Sequence, residues 1–133
     1  MTEYEGNWNM AVHYMKRLDE CMRAINASSA YGDLKLYKSS VDTLYIELHP
    51  KLWEHKDLLN EINKQRAKVE EVFGEWAEFK NTGRKNKQLE HQYSIDLVNE
   101  LNRFNILLRD AVHVCKLLLP ENLDPRSIIF ENL

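Results

Sequence analysis

Apolar residues recur at three- and four-residue intervals along most of this chain, which places them on one face of an α-helix. The pattern breaks at residues 27–32, at Pro50, at residues 81–83 and at Pro120. Asp33 follows the first break and is the expected N-cap of the second helix. The breaks predict four helices and an irregular tail, at about 7–26, 33–48, 50–80, 85–119 and 120–133.

The composition agrees with one helical domain over residues 1–133. Apolar residues make up 44% and charged residues 29%, with only 4 Gly and 3 Pro, which excludes a collagen-like or disordered chain and disfavours a turn-rich β-sandwich. A net charge of −3 argues against a protein whose whole surface coats nucleic acid or anionic membrane. We therefore predict an all-α bundle with a single hydrophobic core.

We expect a cytoplasmic protein with no membrane partner. Residues 1–10 lack the apolar segment of a signal peptide, and no stretch reaches the roughly 18 uninterrupted apolar residues of a membrane helix. Cys21 and Cys115 lie far apart, with no C-x-x-C pair. We interpret both cysteines as reduced, buried side chains.

Pro50 determines how the second and third helices are connected. It lacks a backbone N–H and disfavours helical geometry at the preceding residue, so we expect the second helix to end near Leu48. The apolar pattern nevertheless continues in phase through Leu52, Leu59 and Ile62. A single kinked helix is therefore the alternative to a break.

The third and fourth predicted helices are much longer than the first two. At ~1.5 Å per residue they form an antiparallel hairpin about 45 to 50 Å long, against roughly 25 to 30 Å for the short helices. We expect the short helices to leave residues 66–98 as a bare arm. Two helices cannot bury the apolar side chains of that arm, which predicts a homodimer or another helical partner. The predicted partner surface consists of Val69, Phe73, Trp76, Leu89, Tyr93 and Leu97.

A basic turn joins the third and fourth predicted helices. Lys80, Arg84, Lys85 and Lys87 lie there with no acidic residue among them. Such a turn at a helix N-terminus can bind an anion through its side chains and through free backbone amides. These four residues are therefore the candidate site for an anion or nucleic acid, although no aromatic stacking platform accompanies them.

The five histidines do not follow a metal-binding pattern. Neither the Glu-x-x-His spacing of di-iron bundles nor the His-x-x-x-His spacing of helical zinc sites occurs in the sequence. The carboxylates of the third predicted helix are typical of a solvated surface. We predict no metal and no cofactor.

The segment from Arg84 to Asp96 resembles a motif of the HEPN ribonucleases, which are four-helix domains. Arg84 and His91 are separated by six residues and correspond to the arginine and histidine of that motif. The His-x-Tyr that ends at Tyr93 is similar to the HepT toxin branch, whereas Lys85 replaces the usual Asn or Asp. The resemblance implies an RNA-cleaving pair, Arg84 and His91, formed across a dimer, with Tyr93 beside it.

Residues 32–52 are similar to small helical proteins from phage and archaeal virus genomes. That similarity implies an origin in a mobile element and no particular chemistry. The function we predict is a non-catalytic helical scaffold or adaptor that self-associates. A HEPN-like ribonuclease and an anion or nucleic-acid binder are the alternatives.

Overall fold

The computed structural model describes residues 3–114, with side chains from Met10 onward. Those residues form helices α1 (Glu3–Asn26), α2 (Tyr31–Leu48), α3 (Lys56–Asn81) and α4 (Lys87–Val114), and a 3₁₀ turn at His49–Lys51. No strand occurs among them, so the all-α prediction is confirmed. Cys115, the end of the fourth predicted helix and the predicted tail over 120–133 lie outside the described residues.

Pro50 breaks the chain between α2 and α3. It lies in the 3₁₀ turn, after which Leu52 adopts φ −105° and ψ 2° and is fully buried. The N–H of His55 then donates to the carbonyl of Leu52 at 2.9 Å, and α3 begins only at Lys56. The predicted break is confirmed, whereas the predicted start at residue 50 and the alternative of one kinked helix are wrong.

The start of α2 also differs from the prediction. Asp33 is not the N-cap but lies inside the first turn, because the helix already begins at Tyr31. Ala30 occupies the N-cap position with extended dihedrals, φ −82° and ψ 137°, and provides no side-chain hydrogen bond. Alanine rarely occupies the N-cap position, so rules based on capping side chains did not identify Ala30 as the cap.

The core lies around α4, which packs against each of the other three helices. Its fully buried residues include Leu101, Phe104 and Leu108, which belong to one core cluster with the buried residues of the neighbouring helices. Asn105 is buried among them, and its Nδ2 donates to the carbonyl oxygen of Leu18 at 3.0 Å. That hydrogen bond joins α4 to α1 inside the core.

Charged side chains join α2 to α3. The ammonium of Lys38, which is buried, lies 2.6 Å from a Glu70 oxygen and 3.0 Å from an Asp42 oxygen. Arg66 lies 3.4 Å from Asp42 and stacks over the ring of Tyr45 at 4.5 Å. Because these contacts are directional, they fix the position of α2 along α3.

The arm predicted to be bare is covered in this structure. The ring of Tyr31, in the first turn of α2, stacks on Phe73 with centroids 5.6 Å apart and meets Trp76 edge-on at 5.1 Å. Ser94 Oγ donates to the carbonyl of Ser29 at 3.0 Å, which places the α1–α2 connection beside the beginning of α4. The expectation of an uncovered arm is wrong because this connection lies at the level of the arm.

Candidate functional site

The predicted partner surface is largely inside the chain. Val69, Trp76 and Leu97 are buried, so they cannot contact a partner while this packing is kept. Phe73 and Tyr93 are partly buried, and Leu89 is 37% exposed. The homodimer itself stays a prediction, but these six residues do not provide an open apolar surface for it.

An open apolar surface exists instead on α2. We call Leu36, Ser39, Thr43 and Ile46 the outer face of α2. Leu36 is 61% exposed and Ile46 is 60% exposed, and both lie on the side away from the buried residues of that helix. Thr43 Oγ1 donates to the carbonyl of Ser39 at 3.0 Å, so its hydroxyl already has an acceptor within the helix. None of these four residues is charged, and the exposed charged residues Lys35 and Glu47 flank them.

Sequence reasoning missed the outer face of α2 because it followed the stripe that faces the core. Leu34, Val41, Leu44 and Leu48 belong to that stripe and are buried. Leu36 and Ile46 interrupt the polar side of the same helix, and a search for apolar residues outside the stripe would have found them.

A second candidate site is a cleft of about 330 Å³ beside the turn between α3 and α4. We call it the turn cleft. Three parts of the chain form its walls: residues 29–31, Trp76 and Lys80 of α3, and Lys87, Glu90, His91 and Ser94 of α4. The turn cleft therefore lies where the first turn of α2 meets the end of α3 and the beginning of α4.

The turn cleft has a positive balance of charge. Lys80 Nζ lies 2.6 Å from Glu90 Oε1, and this hydrogen bond lowers the pKa of the Glu90 carboxyl below its usual value. Lys87 and His91 have no ion pair or side-chain hydrogen bond to any of residues 10–114. Lys80 and Glu90 thus neutralise each other, which leaves Lys87 as the unpaired cation at the cleft.

The four basic residues predicted to bind an anion separate into two groups. Lys80 and Lys87 line the turn cleft, whereas Arg84 and Lys85 lie in the exposed turn outside it. The backbone N–H of Arg84 donates to Thr82 Oγ1 at 3.2 Å. This hydrogen bond orders the turn locally. Only Lys80 and Lys87 of the four basic residues line the cleft.

The residues of the ribonuclease hypothesis are not assembled within one chain. Arg84 is exposed in the turn and His91 lines the turn cleft. The ring of Tyr93 packs against Phe79, with centroids 5.8 Å apart. No hydrogen bond or ring contact joins Arg84 to the other two residues in the described part of the chain.

Metal, thiol and membrane features add no further site. Among the described side chains, residues 10–114, no group of three or more His, Cys, Asp or Glu is placed to hold a metal ion. Burial raises the pKa of the half-buried Cys21 thiol, which keeps it in the unreactive protonated form. No helix within the same residues has the length and apolar content to cross a bilayer.

Comparisons with known proteins do not assign the chain to a family. No protein-family model, curated protein or solved structure matches it. The comparisons therefore support neither the resemblance to HEPN ribonucleases nor that to phage and archaeal virus proteins. The outer face of α2 and the turn cleft are the two candidate sites of the described residues.

Proposed function

We propose that this protein is a non-catalytic helical interaction protein that self-associates through the outer face of α2. The observation that carries the proposal is the exposure of Leu36 and Ile46 on one helical face, with only Ser39 and Thr43 between them. Large exposed apolar side chains that share one surface and are bordered by charged residues are typical of a protein–protein contact, whereas scattered ones are not.

The spacing of the outer face favours a second copy of the same chain. Leu36, Ser39, Thr43 and Ile46 are separated by three, four and three residues, which is the a and d spacing of a coiled coil. When two such helices pair antiparallel about a twofold axis, Leu36 lies opposite Ile46 of the second copy. Ser39 then lies opposite Thr43 of the second copy, and these small side chains allow the helices to approach closely. The face is therefore complementary to itself.

The expected dimer is weak. Full burial of a Leu or Ile side chain contributes about 1.5 to 3 kcal/mol, and Leu36 and Ile46 are already partly covered. Four such side chains across the twofold axis contribute roughly 4 to 8 kcal/mol, while association costs about 4 to 15 kcal/mol. We therefore expect association that depends on concentration.

Light scattering over a concentration series tests this proposal. The average mass of the wild-type protein should rise above that of the monomer as the concentration increases to about 1 millimolar, while the double variant Leu36→Glu, Ile46→Glu should remain a folded monomer. Ile106→Glu is the matched control, because Ile106 is 51% exposed but lies on α4. Leu89→Glu tests the surface predicted from sequence. A monomeric wild type, or dissociation by Leu89→Glu alone, would overturn the proposal.

The proposal also includes two properties that depend on sequence alone. We propose a cytoplasmic location, in which both cysteines stay reduced, and an origin in a mobile element, which the similarity of residues 32–52 implies. Redox-dependent migration of the purified protein tests the first property, and the genes next to its own test the second.

A further inference from the structure

Trp53 is the most exposed large apolar side chain of the described residues, at 67%. It lies in the connection between α2 and α3, directly after the fully buried Leu52. Its ring stacks on no other aromatic ring, and its indole N–H has no hydrogen bond in the described part of the chain. Tryptophan is common at protein–protein interfaces because it combines a large apolar area with a single polar group. Trp53 is therefore a candidate contact residue.

The register of the chain places Trp53 at the end of the outer face of α2. Ile46, Pro50 and Trp53 are separated by four and three residues, which continues the spacing of the outer face. The backbone stays close to helical at Leu48, with φ −82° and ψ −28°, and through the 3₁₀ turn. Leu48 and Leu52 are both buried, while Pro50 and Trp53 are both exposed. The inner and outer sides of α2 thus continue past its last residue.

The outer face of α2 is small for a self-association surface. A specific interface uses roughly 20 to 30 residues on each partner, whereas the outer face consists of Leu36, Ser39, Thr43 and Ile46 alone. An indole side chain buries about 150 to 250 Å² when it is covered, and a twofold axis repeats every contact. Trp53 would therefore add more apolar contact area than any other exposed side chain of the described residues.

The antiparallel pairing determines what Trp53 meets. Placing Leu36 opposite Ile46 of the second copy fixes the register of both helices. In that register Trp53 lies level with Ser29 of the second copy, within one turn of Gly32 of that copy. Ser29 and Gly32 are exposed, and a Cβ placed on Gly32 would meet no atom within 4 Å. The surface there is open to a large side chain.

We propose that Trp53 of each copy packs on the α1–α2 connection of the other copy, beside Ser29 and Gly32, and so extends the antiparallel dimer at both ends. This inference rests on the proposed dimer and identifies the side chains that anchor it. The twofold axis makes the two contacts equivalent, so each copy both provides an indole and receives one. The outer face of α2 then aligns the two helices, and the indoles at its ends supply most of the contact area.

Sedimentation equilibrium of the full chain over a concentration series up to about 1 millimolar tests the contact. Trp53→Ala should weaken association about tenfold, because it removes both indoles from the dimer. It should leave the fold intact, since Trp53 is exposed and makes no hydrogen bond or ring contact within the described part of the chain. Ile106→Ala is the matched control, because Ile106 is 51% exposed on α4 and outside the proposed surface. It should change the affinity less than about twofold.

Gly32→Gln tests the receiving side of the contact. A glutamine side chain at this open position occupies the space of the indole, and its Cβ meets no atom of its own copy. The variant should therefore also associate about tenfold more weakly than the wild type. Mixed with Trp53→Ala in equal amounts, it should associate about threefold more tightly than either variant alone, because the mixed dimer regains one of the two equivalent contacts.

The outcomes separate the Trp53 contact from the dimer on which it rests. A wild type that stays monomeric overturns both. A wild type that associates, together with an unchanged affinity of Trp53→Ala or a mixture that associates no better than its components, overturns the Trp53 contact and keeps the outer face of α2 as the dimer surface.

Discussion

The two faces of α2 carry similar residues in opposite environments. On the inner face, Leu34 and Leu44 are fully buried against the bundle, and Lys38 is held between two carboxylates. On the outer face, Leu36 and Ile46 project into solvent. Residue type therefore does not decide burial along this helix. The position of α2 relative to α1, α3 and α4 does, and the outer face is the part of α2 that the chain leaves uncovered.

The largest expected difference between the two faces is in stability. Leu44→Ala should lower the free energy of unfolding by about 2 to 5 kcal/mol, because it removes buried contacts and leaves a cavity. Leu36→Ala should change it by less than about 0.5 kcal/mol in the monomer. Urea denaturation at low protein concentration measures both values. Equal effects would mean that the two faces do not differ as described.

The charged part of the inner face should give the next largest effect. Burial alone would lower the pKa of Lys38, but its hydrogen bonds with Glu70 and Asp42 outweigh burial and raise the pKa above the ordinary value of 10.5. Lys38→Met should lower the free energy of unfolding by about 1 to 3 kcal/mol at pH 7, because it leaves Glu70 without its cation and Asp42 with Arg66 alone.

The pH dependence of Lys38→Met follows from the direction of the shift. A raised folded-state pKa stabilises the protein fully below the unfolded value of 10.5, and this contribution disappears as the pH rises through the folded value. The difference between wild type and Lys38→Met should therefore be constant from pH 7 to about pH 9.5 and decrease above pH 10.5. A difference that grows with pH would contradict this direction.

The smallest expected effect concerns the N-terminus of α2, where the two faces of the helix begin. Ala30→Ser should raise the free energy of unfolding by about 0.5 to 1 kcal/mol, because a serine hydroxyl can accept a hydrogen bond from the free amides of the first turn. Ala27→Ser is the control, since Ala27 is exposed in the same connection but does not occupy the cap. Thermal unfolding of both variants measures the difference, and equal stability would show that the cap position is already satisfied.

The helices could be predicted from the sequence because each contributes a stripe of apolar residues to the core. Pro50 also indicated the break after α2, since proline acts on the backbone locally. The beginning of α2 could not be predicted, because Ala30 caps the helix by its backbone position while Asp33 has the better capping side chain. Local rules thus located the helices more reliably than their ends.

The candidate sites depended on contacts that the sequence does not display. The arm was predicted to be uncovered because the stacking of Tyr31 on Phe73 joins residues more than forty positions apart. The basic turn was visible as a run of charge, but its connection with Trp76 exists only in the folded chain. Leu36 and Ile46 were visible as residues, while their exposure depends on how all four helices pack.

Mixing two charged variants tests the central claim, antiparallel self-association through the outer face of α2, most directly. Leu36→Glu and Ile46→Lys should each be monomeric alone, because each buries unpaired charges in a homodimer. Mixed in equal amounts, they should form a heterodimer, since the introduced carboxylate then faces the introduced ammonium while the second layer keeps its native Leu and Ile. A mixture of Leu36→Glu with Leu36→Lys should remain monomeric. Sedimentation equilibrium measures the masses, and association of the second mixture without the first would contradict the antiparallel pairing.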